Sequence, residues 1–85
     1  MTYKIEIRKN ALKFIQKQER KIQLRLLKGI NGLPHVGDIK KMSGYKSLYR
    51  LRVGDFRVLY EMDTQSKKLT LIDIIDIDNR GQVYK

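Results

Sequence analysis

The sequence contains no cysteine and no tryptophan, and only one proline and one histidine. Without cysteine there is no disulfide framework and no thiolate for metal binding or nucleophilic attack. Hydrophobic packing alone must therefore hold 85 residues together, near the lower end of what one core supports. The absence agrees with a reducing compartment. The single histidine, His35, has no carboxylate or second histidine at a telling spacing, which argues against paired-histidine acid–base chemistry. No apolar run approaches the ~20 residues of a membrane span, and strand-like alternation begins at Tyr3. The expectation is one domain over residues 1–85, cytoplasmic, with no membrane partner and no cofactor.

Acidic residues are scarce where basic ones are dense. Residues 1–60 hold 15 Lys/Arg against 4 Asp/Glu, whereas residues 61–85 hold 4 against 5, for a net charge of +10 overall. Such a balance favours nucleic acid, a ribosome surface or an acidic protein as partner. A nonspecific DNA binder fits it as well.

The most informative stretch runs from Tyr49 to Tyr60. Apolar and charged residues alternate on both sides of Gly54-Asp55, the period-2 signature of two strands joined by a two-residue turn. In that register Val53 faces Phe56, Arg52 faces Arg57, Leu51 faces Val58, Arg50 faces Leu59 and Tyr49 faces Tyr60. One face is apolar and aromatic; the other collects Arg50, Arg52 and Arg57. Like charges opposed across a ladder are destabilising, so the Arg52/Arg57 pair asks for a counter-charge. A bound polyanion supplies one, because guanidinium groups match phosphate in a bidentate way. The alternative is a solvated face without a ligand.

The rest of the chain frames this hairpin. Tyr3 to Arg8 alternates and predicts a first strand. Asn10 offers an N-cap, and Ala11, Leu12, Phe14 and Ile15 predict a helix to about Gln18. A second helix follows from about Glu19, with Ile22, Leu26, Leu27, Ile30 and Leu33 near one face and Pro34 as its stop. The opposite side carries Lys13, Lys17, Arg20, Lys21, Arg25 and Lys28, with Glu19 as the only acid between Asn10 and Asp38. A charged outer face is what an amphipathic helix ordinarily has; the bias of sign extends a nucleic-acid surface over it. Residues 31–44 read as a turn-rich connection, and Glu61 to Lys68 contains a polar turn around Asp63-Thr64-Gln65-Ser66. Leu69 to Asp76, rich in β-branched residues, reads as a central strand closing an antiparallel meander. Asp73 and Asp76 are expected on opposite faces of that strand, which speaks against a metal site.

Arginines and tyrosines without catalytic carboxylate or histidine pairs suit one kind of phosphate chemistry. RNA is cleaved by its own 2′-hydroxyl attacking the adjacent phosphate, so a protein need supply orientation, charge stabilisation and help with two protons. Arginine does the electrostatic part; its pKa above about 12 makes it a poor proton donor. A tyrosine beside guanidinium groups serves as base or stacks on a nucleobase.

The order strand, two helices, three-stranded meander, together with Lys40-Lys41-Met42-Ser43-Gly44, the Tyr49–Tyr60 run and the closing Asn79-Arg80-Gly81-Gln82-Val83-Tyr84-Lys85, resembles the RelE/ParE toxin superfamily. The resemblance implies a small α+β domain and the toxin of a type II toxin–antitoxin pair, silenced by a small acidic RelB-like antitoxin. For the RelE type it implies metal-independent cleavage of mRNA in the ribosomal A site, leaving a 2′,3′-cyclic phosphate. Carried over by position, Arg52, Arg57, Arg80 and Tyr84 would be catalytic. Arg50, Lys46, Lys17, Lys21, Arg25 and Lys28 would contact RNA. Asp78 and Asn79 stand where RelE enzymes commonly have basic or histidine residues. The superfamily also contains ParE toxins, which inhibit DNA gyrase without nuclease activity and are the alternative.

Overall fold

The computed structural model describes residues 2–79. Strand β1 (Thr2–Ile7) leads into helices α1 (Lys9–Gln16) and α2 (Arg20–Asn31), followed by strands β2 (Asp38–Lys41), β3 (Leu48–Val53), β4 (Phe56–Thr64) and β5 (Leu69–Asn79). They form one five-stranded sheet in the order β1-β5-β4-β3-β2. Strands β2 to β5 are an antiparallel meander, and β1 joins it by pairing parallel to β5. The α1–α2 hairpin falls between β1 and the meander in sequence and covers one face of the sheet.

Period-2 alternation sorts the sheet into two faces. Leu51, Val58, Tyr60, Ile72, Ile74 and Ile77 turn inward and are buried with Ala11 and Ile15 of α1 and Leu26 and Ile30 of α2. Each fully buried aliphatic side chain contributes roughly 1.5–3 kcal/mol, so this layer is the main stabilising element of a chain without staples. At its centre Tyr60 stacks on Tyr49, ring centroids 5.4 Å apart. Phe14 of α1 meets Phe56 of β4 edge-on at 5.9 Å. The alternate positions face away from the helices, and they carry the arginines.

The hairpin has the register expected of it, from Val53↔Phe56 at the turn to Tyr49↔Tyr60, with Gly54 at φ +58 supplying the left-handed turn residue. The helices correspond to the two apolar stripes, with shifted ends. Arg8, not Asn10, occupies the N-cap of α1. Asn10 lies in the first turn, where its amide donates to the Ile75 carbonyl at 3.0 Å and to Asp76 Oδ1 at 3.1 Å. The connection over 31–44 contains a strand: β2 pairs with β3, adding a fourth member to the expected three-stranded meander. Its sequence, Asp38-Ile39-Lys40-Lys41, has one apolar residue and too little alternation to announce itself. Pairing with β3 determines its conformation.

One expectation is overturned. Between β4 and β5 the register shifts, Leu59 pairing with Asp76 but Tyr60 with Ile74, so Ile75 is an extra residue in a β-bulge. The bulge changes the phase of β5. Asp73 and Asp76 therefore point to the same face, not to opposite ones.

Candidate phosphate-binding face of the sheet

Cross-strand partners share a face, so the register defines rows across the meander. The first row reads Asp38 (β2), Arg52 (β3), Arg57 (β4), Asp78 (β5), and the second Lys40, Arg50, Leu59, Asp76. Both lie on the side away from the helices. The sheet thus brings together Arg50, Arg52 and Arg57, as the hairpin pattern implied. It also brings carboxylates to both ends of the arginine row, which the hairpin sequence alone does not reveal.

These carboxylates engage two of the three arginines. Arg57 donates from Nη2 to Asp78 Oδ2 at 2.8 Å, directly across the β4–β5 ladder. Arg50 donates from Nη2 to Asp38 Oδ1 at 3.2 Å, diagonally across β3–β2. The facing Arg52/Arg57 pair therefore has a counter-charge inside the protein, and a bound polyanion is not required to explain it. Arg52 is exposed and makes no ion pair among the described residues; its Nε donates to the Gly54 carbonyl at 3.4 Å.

The hairpin turn joins this face to the helices. A Cβ placed on Gly54 would lie 3.4 Å from Nη2 of Arg25, so Arg25 of α2 and Arg52 of β3 both reach the same turn. Lys17, Lys21, Lys28 and Lys46 are exposed. Lys21 and Lys28 of α2 and Lys17, the C-cap of α1, belong to the helix-bearing side of the molecule, and Lys46 to the loop before β3. Arg80 and Tyr84, expected to complete the catalytic set, lie outside the described residues.

Other chemistry-bearing groups are engaged elsewhere. His35 packs edge-on against Tyr3, centroids 5.3 Å apart, on the helix-bearing side of the sheet and away from the arginine row. Asp73 accepts hydrogen bonds from Nε and Nη2 of Arg8, the shortest at 2.8 Å; this hydrogen bonding, with the attraction of the same carboxylate, raises the Arg8 pKa. Asp76 is held by Asn10. Although Asp73 and Asp76 share a face, no group of three His, Cys, Asp or Glu side chains is placed to hold a metal ion among the described residues. A cavity of about 330 Å³ beside Arg8, Ser47, Glu61, Asp63 and Asp73 contains none of the expected site residues. Tyr60 is buried, and desolvation, with the neighbouring Tyr49 contributing less, pushes its hydroxyl pKa up to about 12. It is unsuited to act as a base near neutral pH.

Comparison with known proteins bears on the family and the fold. A family model described as the ParE toxin of type II toxin–antitoxin systems matches residues 5–84. The chain belongs to the RelE/ParE toxin family. Among solved structures, the archaeal RelE–RelB complex from Pyrococcus horikoshii OT3 contains a chain 28% identical to this toxin, with a TM-score of 0.69 over 96% of this chain and 99% of that one. The RelBE2 toxin–antitoxin complex from Mycobacterium tuberculosis (19% identity, TM-score 0.67, 94% and 100% covered) and the intact E. coli RelBE complex (20%, 0.65, 92% and 96%) share the fold. No curated protein sequence gives a significant match. No described helix of the toxin is long and apolar enough to cross a membrane.

Proposed function

We propose that this toxin is a RelE-type, ribosome-dependent endoribonuclease, and that a RelB-like antitoxin silences it, as the RelE–RelB composition of its structural neighbours suggests. The supporting observation is the row in which Arg52 and Arg57 face each other across the β3–β4 ladder, with Arg50 on the same face. Three guanidinium groups on one rigid surface are suited to a phosphodiester whose charge grows in the transition state.

In the proposed reaction the 2′-oxygen of the substrate attacks the adjacent phosphorus. The bond from phosphorus to the 5′-oxygen breaks, leaving a 2′,3′-cyclic phosphate and a 5′-oxygen that takes a proton from water to become the 5′-hydroxyl. Arg57 and Arg80 stabilise the charge on the phosphorane, Arg52 stabilises the departing 5′-oxygen, and Arg50 orients the backbone. Tyr84 takes the 2′-proton or stacks on a base. Positioning and electrostatics carry most of the rate, and no metal or cofactor is needed. Lys17, Lys21, Arg25, Lys28 and Lys46 contact ribosomal RNA.

A ParE-like action on DNA gyrase is the second reading. It is favoured by the description of the matching family model and by the ion pair that occupies Arg57. Primer extension on mRNA in a purified translation system, with and without ribosomes, separates the two. Cuts in A-site codons that require ribosomes and vanish in Arg57→Ala are the expected result. Intact mRNA with protein that still arrests growth would favour gyrase inhibition, to be checked by DNA supercoiling.

A further inference from the structure

The arginine row ends in a carboxylate on each side, and its ion pairs are incompletely formed. Arg57 gives one N–H to Asp78, while Arg57 Nε and Asp78 Oδ1 are buried without a hydrogen-bond partner among the described residues. Arg50 does the same: Nη2 bonds Asp38 and Nε is buried without a partner among the described residues. A guanidinium fork is strongest when two parallel N–H groups meet one anion; here each fork is half used. The Arg57 and Asp78 side chains are also 24% and 35% exposed, so water weakens the pair.

We propose that Asp78 is a positioning residue that holds Arg57 against β5 until a phosphodiester displaces it, making the site selective for a polynucleotide strand over an isolated phosphate. This rests on the reading that the arginine row meets RNA. An isolated phosphate that takes Arg57 must remain beside the freed carboxylate, which repels it. A strand presents successive phosphates, and Arg50 and Arg57 lie on the diagonal of the β3–β4 ladder, about 7–8 Å apart at the backbone. One ligand engages both forks, exchanging two half-formed pairs for two bidentate ones, and Asp38, the more exposed partner, gives way with little resistance.

The test uses the full chain and two probes: a labelled single-stranded RNA oligonucleotide, followed by anisotropy, and inorganic phosphate, followed by NMR shifts. Asp78→Asn should tighten RNA binding about tenfold, the size of a charge-assisted hydrogen bond, and tighten phosphate by more than that, narrowing the preference for the strand; an equal gain for both probes would overturn the selectivity. Asp76→Asn makes the same charge change one row away, where the carboxylate meets Asn10 and not an arginine; it should change affinity less than threefold. In an Arg57→Ala background the effect of Asp78→Asn should disappear. Equal gains from D78N and D76N, a gain that survives loss of Arg57, or no gain in a folded D78N protein would each overturn the proposal. If D78N does not fold, Asp78→Ser takes the same measurements. Ribosome-dependent cleavage by the wild type is scored separately. An Arg57-dependent gain without cleavage keeps the role of Asp78 and removes the nuclease reading; cleavage without the gain does the reverse.

Discussion

Gly29 of α2 lies against Val53 of β3 so closely that an added Cβ would come within 2.8 Å of the valine Cγ2 and 3.5 Å of Leu51 Cδ2. Glycine in a helix interior costs about 1 kcal/mol relative to alanine, and here it permits the second helix to approach the strand that carries Arg50 and Arg52. Valine is stiff about χ1, so it cannot swing aside. Gly29→Ala should therefore lose stability, by about 1–2 kcal/mol despite the gain in helix propensity. Urea unfolding measures it, and Val53→Ala in the same chain should recover most of the loss. A G29A protein as stable as wild type would mean that α2 recedes freely from β3.

Tyr60 supplies a pH dependence. Its hydroxyl is buried without a partner among the described residues, and its pKa in the folded protein is about 12 against an ordinary value of 10.0. The folded state therefore holds the proton more tightly than the unfolded chain. The stabilising difference is fully present below pH 10 and is lost as pH rises towards 12, because the unfolded tyrosine ionises first. By pH 11 the loss attributable to this group should be about 1 kcal/mol. Tyr60→Phe removes an unsatisfied hydroxyl and should stay within about 0.5 kcal/mol of wild type at pH 7. Denaturant unfolding of both proteins at pH 9 and pH 11 is decisive: if the two lose equal stability, Tyr60 is not the titrating group.

The same positions show what the sequence conveys and what it does not. The hairpin register follows from Gly54-Asp55 and the alternation around it, because turn length and apolar period fix the pairing together. The helices follow from their apolar stripes. The carboxylate at Asp78 is visible in the sequence, but its place opposite Arg57 depends on how β5 is registered against β4. That register contains a bulge at Ile75, in the Ile74-Ile75 pair between Asp73 and Asp76, with no glycine to mark it. Strand β2 escapes for a related reason: four residues with one apolar side chain carry no period. The site was therefore legible as a set of cations and not as a set of ion pairs. Arg25 reaches the hairpin through helix–sheet packing, which no local pattern encodes.

The approach of Arg25 to the turn leads to a final prediction. Arg25 comes to Gly54 from α2, and Arg52 hydrogen-bonds the Gly54 carbonyl from the outer face of the sheet. The hairpin turn is thus the place where the basic side of the helices and the arginine row meet. Arg52 has no carboxylate partner among the described residues, so its charge is available to a phosphate without any exchange, unlike that of Arg50 or Arg57. Removing one phosphate-binding cation from a single-stranded complex lowers the slope of log K against log salt by about 0.7. RNA binding measured across a series of KCl concentrations should show that reduction for Arg52→Ala. The same reduction in Arg25→Ala would place the RNA path around the turn and onto α2. A normal slope in R25A with a reduced one in R52A would confine the path to the sheet face. A normal slope in both would show that phosphate binds elsewhere, and the arginine row would then lose its claim to be the RNA-binding surface.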